Sequence, residues 1–162
     1  MRKCRLELVF GDQGKAVEMS EDGEFWHLLP VAILAILWNL AGCADYVMTQ
    51  YGVAPYLQLF TQQQAAYFTS MPAVVDGSWA VAVWGGLLGA VLLFLRLGAS
   101  LWCLGIAAIA MIFCAVWLII FATPPLAEVA GMFGVYMIGG AAGMALVFYI
   151  YARQMKVAGA LI

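Results

Sequence analysis

Four long apolar segments succeed one another along this chain, and every Lys and Arg outside them falls on alternate connections. The segments run over Phe25–Met48, Val74–Leu95, Leu101–Ala122 and Leu126–Tyr151. Each has about 20 residues or more, enough at ~1.5 Å per residue to cross a ~30 Å hydrocarbon core. Arg2, Lys3, Arg5 and Lys15 precede the first segment, Arg96 separates the second from the third, and Arg153 and Lys156 follow the fourth. The connection Tyr46–Ala73 and the turn Thr123–Pro125 contain no basic residue. Basic loops are retained in the cytoplasm, so both termini are expected there, with the long connection outside.

Composition leaves no soluble alternative. The chain is 66% hydrophobic and 10% charged, with a mean hydropathy of +0.98. A soluble domain carries roughly 45–50% apolar and about 25% charged residues. The expected fold class is therefore an all-α membrane protein, a four-transmembrane-helix bundle with a short amphipathic helix in the first outer loop. Residues 1–24 are expected to form a mobile cytoplasmic polar tail, 25–155 the four-helix domain, and 156–162 a short C-terminal tail. The lipid bilayer is the first expected partner. Nucleic acid is not expected, because no basic patch interleaves with aromatics.

Redox and metal chemistry have no footing in the pattern. The cysteines are Cys4, Cys43, Cys103 and Cys114, without a CxxC. Cys103 and Cys114 share a helix face but stand ~16 Å apart along it, too far for a disulfide. His27 is the single histidine and cannot supply paired axial haem ligands. No spacing resembles a zinc site. No cofactor, metal or catalytic residue is expected, since no nucleophile is paired with a base, and the chain is not expected to be an enzyme. Leu40-Ala41-Gly42-Cys43 resembles a lipoprotein cleavage site. The residues before its apolar run, Ser20 to Glu24, include three acids where a signal peptide carries bases, so the site is expected to be silent.

The long outer connection contains Thr61 with Gln64 three residues later, a capping-box signature, between Pro55 and Pro72. The second and fourth segments are rich in glycine at helix-packing spacing. Gly85 and Gly89 form one GxxxG and Gly139 and Gly143 another, and these are expected to be helix-packing surfaces. Shifted by 54 residues, Gly77–Phe94 and Gly131–Phe148 match at Gly77/Gly131, Val81/Val135, Gly85/Gly139, Gly86/Gly140, Gly89/Gly143, Leu92/Leu146 and Phe94/Phe148. A duplicated two-helix unit would leave such a trace.

Candidate binding residues gather in the outer half. Asp45, Asp76 and Glu128 are acids with no basic neighbour on that side. Asp76 and Glu128 sit where a helix begins, a position that favours a negative charge through the dipole and free N–H groups. Asp45 lies toward the C-terminal end of the first helix, where the dipole disfavours it. An anion there needs water, a donor, a cation or a proton. Asn39, six residues deeper, is a second costly polar group. Trp38 shares a flank with Asp45, and Trp79 faces the same half. Trp84, Tyr46, Tyr51, Tyr56 and Tyr67 crowd the same half as Trp79, and these rings suit either an interfacial belt or a polyhydroxylated solute, which offers C–H faces and hydroxyls together.

The runs Leu37-Trp38-Asn39-Leu40-Ala41-Gly42-Cys43-Ala44-Asp45-Tyr46, Met48-Thr49-Gln50, Ala65-Ala66-Tyr67-Phe68, Met71-Pro72 and Ala82-Val83-Trp84-Gly85-Gly86 resemble a group of short bacterial four-helix inner-membrane proteins. That group is labelled as sugar transporters, and its architecture is similar to the DoxX-like proteins. The resemblance covers residues 25–155. It implies a multi-pass inner-membrane location and transport of a small solute such as a sugar. Four helices rarely enclose a full pathway, so such a carrier is expected to act as a homo-oligomer. The alternative expectation is a non-catalytic accessory subunit of a larger membrane complex.

Overall fold

Apolar stretches without internal breakers form long helices because every backbone N–H and C=O can then be satisfied within the segment. The structure, a computed structural model, describes residues 25–162. The expected polar tail 1–24 lies outside the described residues. The elements are α1 Leu28–Gln50, α2 Ala54–Leu57, α3 Gln62–Thr69, α4 Ala73–Phe94, α5 Ser100–Val116 and α6 Leu126–Val157. A π-helical turn, Trp117–Phe121, extends α5 and closes with Ala122 N–H donating to Trp117 O at 2.9 Å. Among the described residues the secondary structure is all helical, and four of the helices are long and apolar enough to cross a membrane, by length and composition.

Local chemistry sets the element ends. Thr61 and Gln64 form the reciprocal capping box that starts α3, at 3.2 and 3.1 Å. Pro72 and Pro125 stand at the N-caps of α4 and α6, where a missing N–H costs nothing. Gly159, at φ +81°, reverses the chain after α6. The last residues then dock on the α4–α5 turn, with Ile162 N–H donating to Arg96 O at 2.8 Å and Gly98 N–H to Ile162 O at 2.6 Å. The short C-terminal tail is thus packed, with Leu161 buried.

The order of packing is α1 on α4, α4 on α5 and α5 on α6, with no extended contact between α1 and α6. Charge divides the two ends of the bundle. Arg96, Arg153 and Lys156 mark a basic end; Asp45, Asp76 and Glu128 mark an acidic end together with α2 and α3. At the basic end, Leu28, Ala32, Ala35, Ala90, Leu93, Phe148, Ala152 and Met155 form a closed core. His27 and Tyr151 tie α1 to α6 there, Nδ1 to hydroxyl at 2.7 Å. At the acidic end, Val75, Cys114, Leu118 and Leu126 are buried under Tyr67, Phe68, Met71 and Trp79.

The two GxxxG motifs behave differently. A Cβ on Gly85 would lie 3.6 Å from Ala107 Cβ, and one on Gly89 would lie 2.7 Å from Leu104 Cγ. These glycines let α4 and α5 approach closely, as expected. The packing expected at Gly139 and Gly143 is not met among the described residues: none lies within 4 Å of where their Cβ atoms would be. The inward face of α6 instead carries Gly134, Ile138, Ala141, Ala145 and Phe148, which places Gly139 and Gly143 on an exposed flank. The aligned pair Gly77/Gly131 also diverges. Gly77 lies inside regular helix, whereas Gly131 breaks α6 at φ 66°, ψ −174°. That backbone conformation is essentially restricted to glycine.

Candidate functional site

The inward faces of the four long helices do not meet in the middle. Trp38, Gly42, Asp45 and Thr49 on α1 recur at helical spacing, as do Leu104, Ala107, Met111 and Cys114 on α5. Together with Trp79 and Gly86 of α4 and the inward face of α6, they enclose a cavity of about 710 Å³. This lies inside the 300–1,000 Å³ range of small-molecule sites. Tyr56, Phe60, Gln64 and Phe68 from the α2–α3 connection cover its acidic end, and Leu104 and Phe148 reach it from the basic-end core. Most of the wall is apolar.

Asn39 lies at depth in this cavity. Its Nδ2 donates to Ala35 O one turn back, at 2.8 Å. Its Oδ1 rests against the bare Cα of Gly86, where any Cβ would overlap the amide. Gly86 is therefore the complement of Asn39, a role the glycine spacing alone does not reveal. Cys43, on the neighbouring face, is buried with Sγ 3.4 Å from Val83 O. The cysteine of the lipoprotein-like run is thus packed within the α1–α4 seam.

Asp45 is half-buried near the acidic end, and the Tyr56 hydroxyl donates to its Oδ1. This answers the unfavourable helix dipole with a charge-assisted hydrogen bond. Burial, and then the Asp45 carboxylate, push the Tyr56 phenol well above its ordinary value. Tyr56 therefore remains a donor throughout the physiological range. Tyr67, on the face of α3 turned toward Val75, Cys114 and Leu118, is also raised by burial, and its hydroxyl has no partner among the described residues.

Of the six expected binding residues, Trp38, Asn39, Asp45 and Trp79 line the cavity, and Asp76 and Glu128 do not. Trp79 is wedged edge-on against Tyr46, with ring centroids 5.2 Å apart. Asp76, in the first turn of α4, accepts from Gln50 Nε2 at 2.6 Å. It joins the ends of α1 and α4. Glu128 is exposed in the first turn of α6. Both acids are stabilised by position, as a helix N-terminus allows.

Sequence reasoning placed Tyr56 only among the rings of the outer half and missed Thr49 and Gln64 as cavity residues. Thr49 is buried on the Asp45 face of α1. Gln64 serves two partners: besides capping α3, its Nε2 donates to Val129 O at 3.2 Å, beside the break in α6. The capping box identifies Gln64 as structural but carries no hint of the α6 contact. Among the described residues no group of three His, Cys, Asp or Glu side chains is placed to hold a metal. No family model, curated protein or solved structure matches the chain.

Proposed function

We propose that this chain is a multi-pass protein of the bacterial inner membrane that binds and carries a small solute in the cavity between α1, α4, α5 and α6. The observation that carries this reading is a cavity of about 710 Å³ with a mostly apolar wall, in which Asn39, Asp45 and Thr49 stand on one helix and Tyr56 and Gln64 cover the acidic end. Apolar walls with a few fixed polar groups are the usual composition of a small-molecule site. The segregation of charge supports a cytoplasmic basic end. In that orientation α2 and α3 lie at the outer surface, over the cavity. Exposed Trp102, Ile106, Ile109 and Phe133 suit lipid contact rather than water. A sugar, the solute implied by the resemblance, would find few hydrogen-bonding partners on this wall.

The test is ligand-dependent stabilisation of the purified protein in lipid nanodiscs, over a panel of sugars, neutral amphiphiles and charged amphiphiles. Ala141 lines the cavity without being fully buried, so Ala141→Trp should fill the space and erase any response. A panel without a response, or responses that survive Ala141→Trp, would count against the cavity as a binding site.

One observation favours a second reading. The exposed flank of α6 around Gly139 and Gly143 has no partner among the described residues. A homo-oligomer or an accessory role in a larger membrane complex would cover it. Purification from native membranes separates these: self-association supports the oligomeric carrier, and a stoichiometric different subunit supports the accessory role.

A further inference from the structure

The charge of the cavity is unbalanced. Among the described residues, Asp45 is its single formally charged lining residue, and no Lys, Arg or His lines it. Among the described residues, the cations are all remote. Arg96 lies in the α4–α5 turn, Arg153 and Lys156 in the last turns of α6, and His27 beside Tyr151. Tyr56 gives Asp45 one hydrogen bond but no charge. A half-buried carboxylate in an apolar surround favours a cation as its partner.

The remaining wall is chosen from residues that tolerate the same ligand. Tyr56, Phe60, Phe68 and Trp79 supply rings near the acidic end, with Trp38 deeper at the level of Asn39, and aromatic faces attract cations, the more so when desolvated. Asn39 lies six residues deeper on α1, about 9 Å along the helix. Between Asp45 and Asn39 the cavity is bounded by Gly42, Ala82 and Val83, with Ala107 and Ala141 from the other helices. That stretch offers space and no hydrogen-bonding side chain.

Resting on the solute-binding reading above, we infer that the cavity selects lipophilic monocations: a cationic head beside Asp45 and its aromatic neighbours, and an apolar body about 9 Å long reaching toward Asn39 and Phe148. Anions are opposed by Asp45. Neutral apolar molecules fit the space but gain nothing from the charge.

The experiment is equilibrium binding to the full chain in nanodiscs, with empty nanodiscs subtracted. The probes are tetraphenylphosphonium, its anionic counterpart tetraphenylborate, and neutral triphenylphosphine oxide. Tetraphenylphosphonium should bind saturably and more tightly than either other probe. Asp45→Asn should weaken it by about tenfold or more, as loss of an unscreened charge partner requires. Asp45→Glu, which keeps the charge, should retain most of the affinity. Asp76→Asn removes the same charge from the same end outside the cavity, and should leave binding within about threefold. If the neutral or anionic probe binds as tightly as the cation, or Asp76→Asn weakens binding as much as Asp45→Asn, the cation inference falls while a solute site stands. If no probe binds, the cation inference falls and the sugar and amphiphile panel above decides the solute-binding reading. If Ala141→Trp binds all three probes like wild type, the cavity is not the site and that reading falls as well. Should Asp45→Asn fail to fold, the ranking of the three probes on wild type still decides the inference.

Discussion

Helices α4 and α6 carry the same local pattern, Gly-Gly-x-x-Gly-x-x-x-x-Phe, in different surroundings. On α4 the pattern is filled. Gly85 and Gly89 receive α5, and Gly86 receives the Asn39 amide of α1. On α6 the corresponding Gly139, Gly140 and Gly143 have no described residue within 4 Å of where a Cβ would be. The difference comes from position in the bundle. α4 lies between two helices and needs two close approaches, whereas α6 packs on α5 alone along most of its length. A glycine motif records that a backbone can be approached. Which neighbour arrives, if any, is decided by the topology.

The largest expected effect lies at the tightest point of the filled face. Gly89→Leu drives a side chain into Leu104 Cγ and the Leu104 backbone nitrogen, at 2.7 and 3.0 Å from the first added carbon. Backbone cannot yield as a side chain can, so the cost should reach about 3 kcal/mol, the upper end for overpacking. Thermal unfolding in detergent checks this. A wild-type melting temperature would mean that α4 and α5 are not in this register.

Gly86→Ala is the next largest, at about 1–3 kcal/mol, because the new methyl overlaps the Asn39 amide. The double variant Asn39→Ala, Gly86→Ala should recover much of that loss, since the clash then disappears. A double-mutant cycle with no coupling between the two positions would break the pairing of α1 and α4 at this level.

Gly131 and its aligned partner Gly77 give a third contrast. Gly131→Ala forces a non-glycine residue into φ 66°, ψ −174°, a strain of about 1–3 kcal/mol. Gly77→Ala has open space and helical backbone, and helix propensity favours alanine by about 1 kcal/mol. The two variants should therefore shift the melting temperature in opposite directions. Equal shifts would restore the symmetry of the repeat and remove the break in α6.

The open side is also held at the cavity mouth. Tyr56→Phe removes the donor to Asp45, a loss of about 1–2 kcal/mol for a bond to a charged acceptor that keeps some solvent. Because the folded phenol is raised above its ordinary value, its contribution is present below the unfolded tyrosine pKa and is lost as pH rises through the folded one. The wild-type advantage over Tyr56→Phe should thus hold at neutral pH and shrink only in strong alkali. An advantage that disappears on going from pH 7 to pH 9 would contradict the placement of Tyr56 against Asp45.

Hydropathy located all four long helices to within a few residues, except at the end of α6, which runs on to Val157. The capping box located the start of α3 because both partners are local. The Asp45–Tyr56 bond spans eleven residues through a loop and has no periodic signature. The cavity was legible only in part. Trp38, Asn39, Asp45 and Trp79 stand out as polar or amphipathic groups in an apolar background. Its apolar wall does not stand out, because a helix in lipid is apolar toward both its neighbours and the solvent, so hydrophobic periodicity no longer marks the inward face. The same physics hid the difference between Gly89 and Gly143.

The smallest expected effect is at Gly139, and it tests that last point most directly. A Cβ there meets nothing within 4 Å, and the residue is exposed. Gly139→Leu should leave the stability of the single chain within about 0.5 kcal/mol of wild type, as exposed substitutions usually do. Replacing a helical glycine also adds helix propensity, so any small change should be stabilising. The measurement that sharpens the comparison is made twice, once in detergent that keeps the chain monomeric and once in native-like lipid. Silence in both makes this flank of α6 a lipid-facing surface. Silence in monomers with a marked loss in lipid makes it a docking face for another chain, whose close approach the leucine blocks. A loss already present in the monomer would place a helix of this same chain against Gly139, and the contrast between α4 and α6 would then collapse.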